Sequence, residues 1–459
     1  MSQLVADLVG IAGSDGVLTG EDVSSRAVGI WRPQSIQALA IVRPRTTDEV
    51  SEILKLCHAR GQTVIAHGGR TGLVEGADTV QTDLILSLER MNQIECVDVV
   101  NRTMTLQAGV MLQAAQEEAE RKGLLYPLDI GARGSCTIGG NIATNAGGNR
   151  VIRFGMTRDM VLGTEAVLAD GTVVSSMNEM IKNNAGFDIK QLFIGTEGCL
   201  GVVTRAVVRL RELPRSQETA IVAADSFEKM PLILKHMDAC LGGTLSAFEV
   251  MWNDFYRLVT TPPAKQRPPL EQSYPIYVLI ETMGGDPEND RVRLEDGLAE
   301  ALDKGLATDA TVAQNGDQRK QFWAMRDDVE QIFQYDPVFI YDVSLQVPYM
   351  ERYVDEVRDK LQRRFGHHQL FTFGHMGDGN LHFAISAGDN ESAHHDVNLC
   401  VYEPLRPIGG SVSAEHGVGL EKKPYLDISR NSIEVNMMRT LKTTLDPKGI
   451  LNPGKVFAA

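Results

Sequence analysis

The distribution of glycine constrains the fold most. The segment Ser135-Cys-Thr-Ile-Gly-Gly-Asn-Ile-Ala-Thr-Asn-Ala-Gly-Gly148 carries small residues at most positions. A backbone of that kind can approach a flat ligand closely and offer it N–H donors. A second cluster, His67-Gly-Gly-Arg-Thr-Gly72, follows the short apolar strand Thr63-Val-Ile-Ala66. Taken singly, each cluster is most simply a tight turn. As a pair of loops on one domain they suit a large phosphate-bearing cofactor. A dinucleotide fold of the nicotinamide type needs its glycines to open a helix, whereas Leu73-Val-Glu-Gly-Ala continues as loop. The glycine-lysine phosphate loop of nucleoside triphosphatases is also missing from the sequence.

Around these clusters the first third alternates strands and helices. Leu39-Ala-Ile-Val-Arg reads as a strand stopped by Pro44, and Thr46-Thr-Asp-Glu49 as a capping box for a helix reaching Arg60, with Gly61 as its stop. Asp83-Leu-Ile-Leu-Ser and Met104-Thr-Leu-Gln-Ala read as strands, and Met111 to Lys122 as an amphipathic helix ended by Gly123. The texture changes near Pro214, and Thr261 to Pro269 reads as an exposed proline-rich loop. At 459 residues the chain exceeds what one core usually serves. The expected division is residues 1–212, 213–420 and a turn-rich segment 421–459 folding back on the first.

The formal charge of −15 argues against nucleic acid or an anionic membrane as partner, since phosphate binding needs clustered Lys and Arg. A small anionic substrate would need a local cationic site. No run of about 18 apolar residues is present to span a membrane. The six cysteines lie singly, without CxxC pairs, and read as reduced thiols of a cytoplasmic protein. The N-terminus shows neither a secretory signal nor an Arg-rich transit peptide.

In the C-terminal half, Leu370-Phe-Thr-Phe-Gly-His-Met376 and Leu381-His-Phe-Ala-Ile385 flank Gly377-Asp-Gly-Asn380. Asp-Gly between apolar runs signals a hairpin. With Asp378 and Gly379 as its loop, 377 faces 380, 376 faces 381 and 375 faces 382. His375 and His382 then share one face as a cross-strand pair within reach of one metal ion. Ser413-Ala-Glu-His-Gly-Val-Gly419 offers Glu415 as third ligand, and three protein ligands suit a catalytic ion. If Glu415 faces that ion, His416 can face another part of the cavity and take up a proton near neutral pH. The plain alternative makes both ordinary loop residues.

The first-third clusters, with Phe154-Gly-Met-Thr-Arg-Asp159, Val167-Leu-Ala-Asp-Gly171 and Leu192-Phe-Ile-Gly-Thr-Glu-Gly198, resemble the FAD-binding domain of the vanillyl-alcohol-oxidase superfamily, also called the p-cresol methylhydroxylase type. The resemblance implies an α+β chain: a two-part FAD-binding domain followed by an α+β substrate domain on an antiparallel sheet. By it, His67, Gly68, Gly69, Arg70, Thr71, Gly72 and Leu73 bind the pyrophosphate. Ser135, Thr137, Gly139, Gly140, Asn141 and Ala143 line the pyrophosphate and flavin, with Glu197 and Val202 beside them. Arg70 stands where covalently flavinylated relatives carry His, which implies non-covalent FAD.

Gly374-His-Met-Gly-Asp-Gly-Asn-Leu-His382, Ser413-Ala-Glu-His-Gly417 and Leu451-Asn-Pro-Gly-Lys455 resemble the substrate-binding half of FAD-linked D-lactate, glycolate and D-2-hydroxyglutarate dehydrogenases. This resemblance implies a divalent ion, Zn²⁺, on His375, His382 and Glu415, and His416 as catalytic base. It also implies Asn380 as a substrate contact, Asn452 at the cofactor and Arg326 as the grip on the substrate carboxylate. Read without it, Arg326 is a solvated helix residue. The implied reaction is oxidation of a D-2-hydroxy acid to the 2-oxo acid with hydride transfer to flavin N5. Electrons would pass on to an electron-transfer flavoprotein, a quinone or a cytochrome, and a homodimer is an option. Ile340 stands where hydroxyglutarate-specific members carry Lys, and Glu330 where they carry Thr, so a second substrate carboxylate is poorly served. The alternatives are a non-catalytic flavoprotein subunit of a glycolate-oxidase-like complex, which would lack the ligand triad, and a metallohydrolase, which would have no use for the flavin loops.

Overall fold

Short apolar strands separated by turns and helices build the first part of the chain. In the computed structural model, which describes residues 2–388 and 391–458, the chain divides into two compact units. The first comprises residues 1–147, 155–213 and 415–459, and the second residues 148–154 and 214–414.

Among the described residues, the first unit holds two larger sheets and two short two-stranded ribbons. β1 (Val17–Leu18), β2 (Ala40–Val42), β3 (Val64–His67) and β4 (Leu84–Ser87) run in the order β1-β2-β4-β3, with β2, β4 and β3 parallel. β5 (Ile94–Asp98), β6 (Thr103–Gln107), β7 (Val161–Val167), β8 (Val173–Ser176) and β9 (Val202–Arg209) form an antiparallel sheet in the order β8-β7-β9-β6-β5. Helices α1 (Gln3–Ala12) and α2 (Thr47–Arg60) bury Leu8, Ile53, Leu54 and Cys57 against β2, β3 and β4. Helix α2 starts where its capping signal lies. Thr46 Oγ1 accepts from Glu49 N at 3.2 Å, and Glu49 reaches back to Arg45 N at 2.7 Å. It stops at Gly61, which is left-handed with φ 65°. The C-terminal segment joins the same sheet edge: Val64 N donates to Ile450 O, and Asn452 N to Val64 O.

The glycine cluster from Ser135 to Gly148 is not loop throughout. Residues Ile138–Thr144 form helix α3, because Thr137 caps it through Gly140 N and Ile138 and Ile142, one turn apart, are buried.

The second unit is one antiparallel sheet of seven strands: β10 (Ser216–Ala224), β11 (Leu245–Trp252), β12 (Ile276–Gly284), β13 (Asp309–Val312), β14 (Phe339–Ser344), β15 (His368–His375) and β16 (Asn380–Ala387). Their order is β13-β10-β12-β11-β15-β16-β14. Helices α4 (Lys229–Leu241) and α5 (Pro287–Asp303) pack together on one face. On the other face, Phe322 and Met325 of α6 (Gly316–Arg326) join Ile221, Met251, Tyr277, Phe371 and Phe373 in an apolar cluster. The proline-rich stretch from Thr261 to Pro269 is irregular, as expected.

The hairpin register differs from the sequence expectation. The β15–β16 ladder pairs Phe373 with His382, not His375 with His382. The connection is not a two-residue Asp-Gly turn: Met376–Asp378 make a short 3₁₀ turn, closed by Gly379 at φ 88°. The longer connection displaces the ladder by two residues. Because side chains alternate with period two, an even slip leaves both histidines on the same face.

Candidate active site

Cross-strand pairing builds a row of ionisable side chains on the α6 face of the second unit. Glu249 on β11 pairs with His375 on β15, Phe373 with His382 on β16, and His382 with Asp342 on β14. Directly opposed residues share a face, so Glu249, His375, His382 and Asp342 project to one side. The two imidazole rings meet edge to face, with centroids 5.1 Å apart.

Each imidazole has a carboxylate at its Nδ1. Glu249 Oε1 lies 2.7 Å from His375 Nδ1, and Asp342 Oδ1 lies 3.8 Å from His382 Nδ1. The Glu249 contact is a hydrogen bond that fixes the His375 ring with Nε2 free to ligate, the arrangement that supports histidine ligands of metal ions, whereas Asp342 stands by His382 as a nearby charge. Ligand atoms of His375, His382 and Glu415 lie within 4.8 Å of one another, a donor set that fits a divalent ion.

Glu249 also holds the arginine. Its Oε2 accepts from Arg326 Nε at 2.9 Å and lies 2.8 Å from Nη2. Arg326 is the last residue of α6, 5% exposed, and its guanidinium lies over the Phe373 ring at 5.3 Å. The solvated reading of Arg326 is thus wrong: helix α6 ends over the sheet, and the buried Glu249 draws the arginine inward. Burial alone would raise the Glu249 carboxyl, but His375 and Arg326 outweigh it and hold it below the ordinary value.

Asn380 donates to Asp342 Oδ1 and to Val343 O, both at 2.9 Å, while its buried Oδ1 has no hydrogen-bond partner. An orphaned acceptor of this kind is what a bound ligand satisfies. Asp342 also accepts from Ser413 Oγ and from Ala414 N, which fixes the chain immediately before Glu415. Ile340, two residues from Asp342 on β14, lies on the same face and packs on the apolar cluster. Glu330 is exposed in a 3₁₀ turn. Sequence reasoning missed Glu249 and the fourfold role of Asp342. The pairing of β11 with β15, which brings Glu249 to His375, has no local signal.

In the first unit the two glycine clusters meet. A Cβ on Gly68 would stand 2.5 Å from Thr137 Oγ1, and one on Gly69 2.0 Å from Ser135 O. Arg70 takes a left-handed conformation, φ 55°, and donates to Ala27 O. Thr71 is half-buried and Gly72 exposed; Leu73 follows half-buried. Gly139 faces Ala108 and donates its N–H to Ala108 O at 2.7 Å, so it serves packing within the unit. Gly140 and Ala143 lie on α3, where the Ala143 carbonyl accepts from Glu197 N. Asn141 is buried with Nδ2 lacking a hydrogen-bond partner, and Val202 is buried at the start of β9. A glycine-pinched cradle ending on an orphaned buried donor fits a flat dinucleotide.

Glu197 (φ 51°) accepts from Val418 N and Gly419 N at 2.6 and 2.9 Å, tying α3 to the loop that carries Glu415 and His416. Both of those residues are half-buried, and a Cβ on Gly147 would stand 2.8 Å from Glu415 Oε1. Asn452 accepts from Ala66 N at 3.0 Å and donates to Glu197 O, locking the C-terminal segment beside the His67–Gly72 cluster.

His67 gives a pH-dependent expectation. Its ring is buried, with Nε2 2.8 Å from Ala77 O, and burial pushes its pKa from 6.5 down to about 4. The unfolded chain takes up this proton below pH 6.5, whereas the folded chain holds out to about pH 4. The contribution is therefore complete above pH 6.5 and is lost as pH falls towards 4, a loss of roughly 3 kcal/mol over that window. Denaturant unfolding at pH 7 and pH 5 should show a larger loss for the natural chain than for His67→Gln.

Residues 38–176 match the family model described as FAD binding domain, and residues 213–456 the one described as FAD linked oxidases, C-terminal domain. The fold is that of p-cresol methylhydroxylase, with TM-score 0.78 at 14% identity over 99% of this chain and 96% of that one. The chain is 41% identical over 419 residues to the mitochondrial D-2-hydroxyglutarate dehydrogenase of Bos taurus, covering 91% of this chain and 76% of that protein. It is 40% identical over 416 residues to the mitochondrial D-2-hydroxyglutarate dehydrogenase of Arabidopsis thaliana, covering 90% and 74%. The chain belongs to the FAD-dependent D-2-hydroxy acid dehydrogenases, oxidoreductases within the FAD-linked oxidase class.

Proposed function

We propose that Arg326 binds the carboxylate of a D-2-hydroxy acid, that His416 removes its hydroxyl proton, and that Asn380 contacts the substrate. The observation that supports this most is the single buried carboxylate of Glu249, which links Arg326 to His375 and so sets a carboxylate grip beside an oriented imidazole pair. His375, His382 and Glu415 hold a divalent ion, zinc by its taste for imidazole and carboxylate. When bound, the ion supplies Lewis acidity and non-covalent FAD supplies the two-electron acceptor for the C2 hydride. His67 to Leu73, Ser135 to Ala143, Glu197, Val202 and Asn452 form the cradle for FAD. Glu249 fixes the guanidinium fork against rotation, and Asp342 fixes Asn380 and the entry to the Glu415–His416 loop.

By the family resemblance, the substrate side chain is where this protein departs from hydroxyglutarate-specific members. Ile340 puts an apolar surface two residues from Asp342, so a D-2-hydroxy acid with an apolar or short substituent, such as D-lactate, is favoured over D-2-hydroxyglutarate. Steady-state kinetics on a panel of D-2-hydroxy acids tests this. The expected order places the apolar acids first, and Ile340→Lys should raise kcat/KM for D-2-hydroxyglutarate by about 10-fold or more, the worth of one charged hydrogen bond. A natural chain that prefers D-2-hydroxyglutarate by a wide margin would sink the reading of Ile340.

Electrons leave to an electron-transfer flavoprotein, quinone or cytochrome. All six cysteines are free, which suits a reducing compartment. The relatives' names give mitochondria, and fractionation of the source cells distinguishes that compartment from the cytoplasm.

A further inference from the structure

Helices α4 and α5, on the sheet face away from the site, carry a second constellation. That they cover the other face follows from alternation on β10: Ser216, bonded to Asp290 of α5, points opposite to Ile221 and Ala223 of the apolar cluster. His236 and Cys240 stand one turn apart on α4, and Glu300 lies on α5. Ligand atoms of the three all lie within 4.8 Å of one another.

Three details favour a cation over mere packing. His236 Nε2 lies 2.9 Å from the Gly297 carbonyl, which can only accept, so Nε2 carries the proton and Nδ1 presents its lone pair. Cys240 Sγ stands beside the ring, 3.9 Å from that Nδ1 and 3.7 Å from Nε2, and the first of these is a spacing two ligands of one ion can take up. Gly297, one turn before Glu300, lets the helices close: a Cβ there would meet Cys240 Cβ and Met237 Cε at 3.2 Å. Glu300 now pairs with Lys304 at 2.8 Å, both side chains more than half exposed. An ion pair so solvated is given up at little cost for a dication.

We propose that His236, Cys240 and Glu300 form a site for a divalent cation of the zinc class that clasps α4 to α5. An imidazole, a thiolate and a carboxylate leave a fourth position to water, and the soft sulfur selects zinc or cadmium over magnesium or calcium. Binding displaces the thiol proton to solvent, and no redox step is involved.

The test reads Cys240 itself, not turnover, so it stands apart from the fate of the hydroxy-acid site. The FAD-loaded protein is alkylated with iodoacetamide with and without micromolar Zn²⁺, and each cysteine peptide is followed by mass spectrometry, with the exposed Cys96 as internal control. Zn²⁺ should slow alkylation of Cys240 by about 10-fold or more while Cys96 is unaffected. His236→Ala and Glu300→Gln should each weaken that protection about 10- to 100-fold in the Zn²⁺ concentration needed, with FAD content unchanged. Mg²⁺ should not protect. Equal alkylation of Cys240 with and without Zn²⁺, or protection that survives both substitutions, overturns the site.

Discussion

His416→Ala is expected to lower kcat/KM by about 10²- to 10⁴-fold, the usual contribution of a general base, while leaving FAD content and thermal stability close to those of the natural chain. The loop that carries His416 has anchors of its own on either side of that residue. It is held by Glu197, whose carboxylate accepts from Val418 N and Gly419 N, and by Asp342, which accepts from Ala414 N before it. Removing the imidazole should thus subtract a proton acceptor while these anchors remain. The loss should appear in the rate of flavin reduction under single-turnover conditions, and added imidazole should restore part of it. Near-normal reduction by His416→Ala would remove the residue from the mechanism.

Arg326→Ala should have the largest effect on stability and a large one on substrate binding together. Glu249 is 1% exposed and would lose its cation while still buried, a loss of about 3–5 kcal/mol for one partner of a buried pair. Chemical denaturation of Arg326→Ala, Glu249→Gln and the double variant checks this. The double variant should be more stable than Arg326→Ala alone, because no unpaired charge remains, yet it should not recover activity. Arg326→Lys should keep part of the stability but raise KM, since an ammonium cannot present the planar fork to Glu249 and substrate at once. Additive effects of the two single substitutions would mean that the Glu249–Arg326 contact at 2.8 Å carries no coupling.

Local chemistry made part of this legible in the sequence. Thr46, Glu49 and Gly61 bound α2 by capping alone, and the alternation around Asp378-Gly379 located the hairpin. The register of that hairpin was not legible, because Met376–Asp378 form a 3₁₀ turn where Asp-Gly suggested a two-residue loop. The two-residue slip was harmless to the facing of His375 and His382 only because it was even. Helix α3 was hidden by its glycines, whose helix-weakening tendency is overridden by the Thr137 cap and the packing of Gly139 on Ala108. Glu249 and Asp342 were invisible as partners of the histidines because strand pairing across 126 and 40 residues leaves no mark on local sequence.

The most direct test of the central claim is anaerobic mixing of the FAD-loaded protein with single 2-hydroxy acids while the visible flavin band is followed. D-enantiomers should bleach the band stoichiometrically, with the 2-oxo acid as product, and a C2-deuterated substrate should bleach it more slowly. A flavin left oxidised by every D-2-hydroxy acid of the panel, or bleached equally by both enantiomers, would contradict the account.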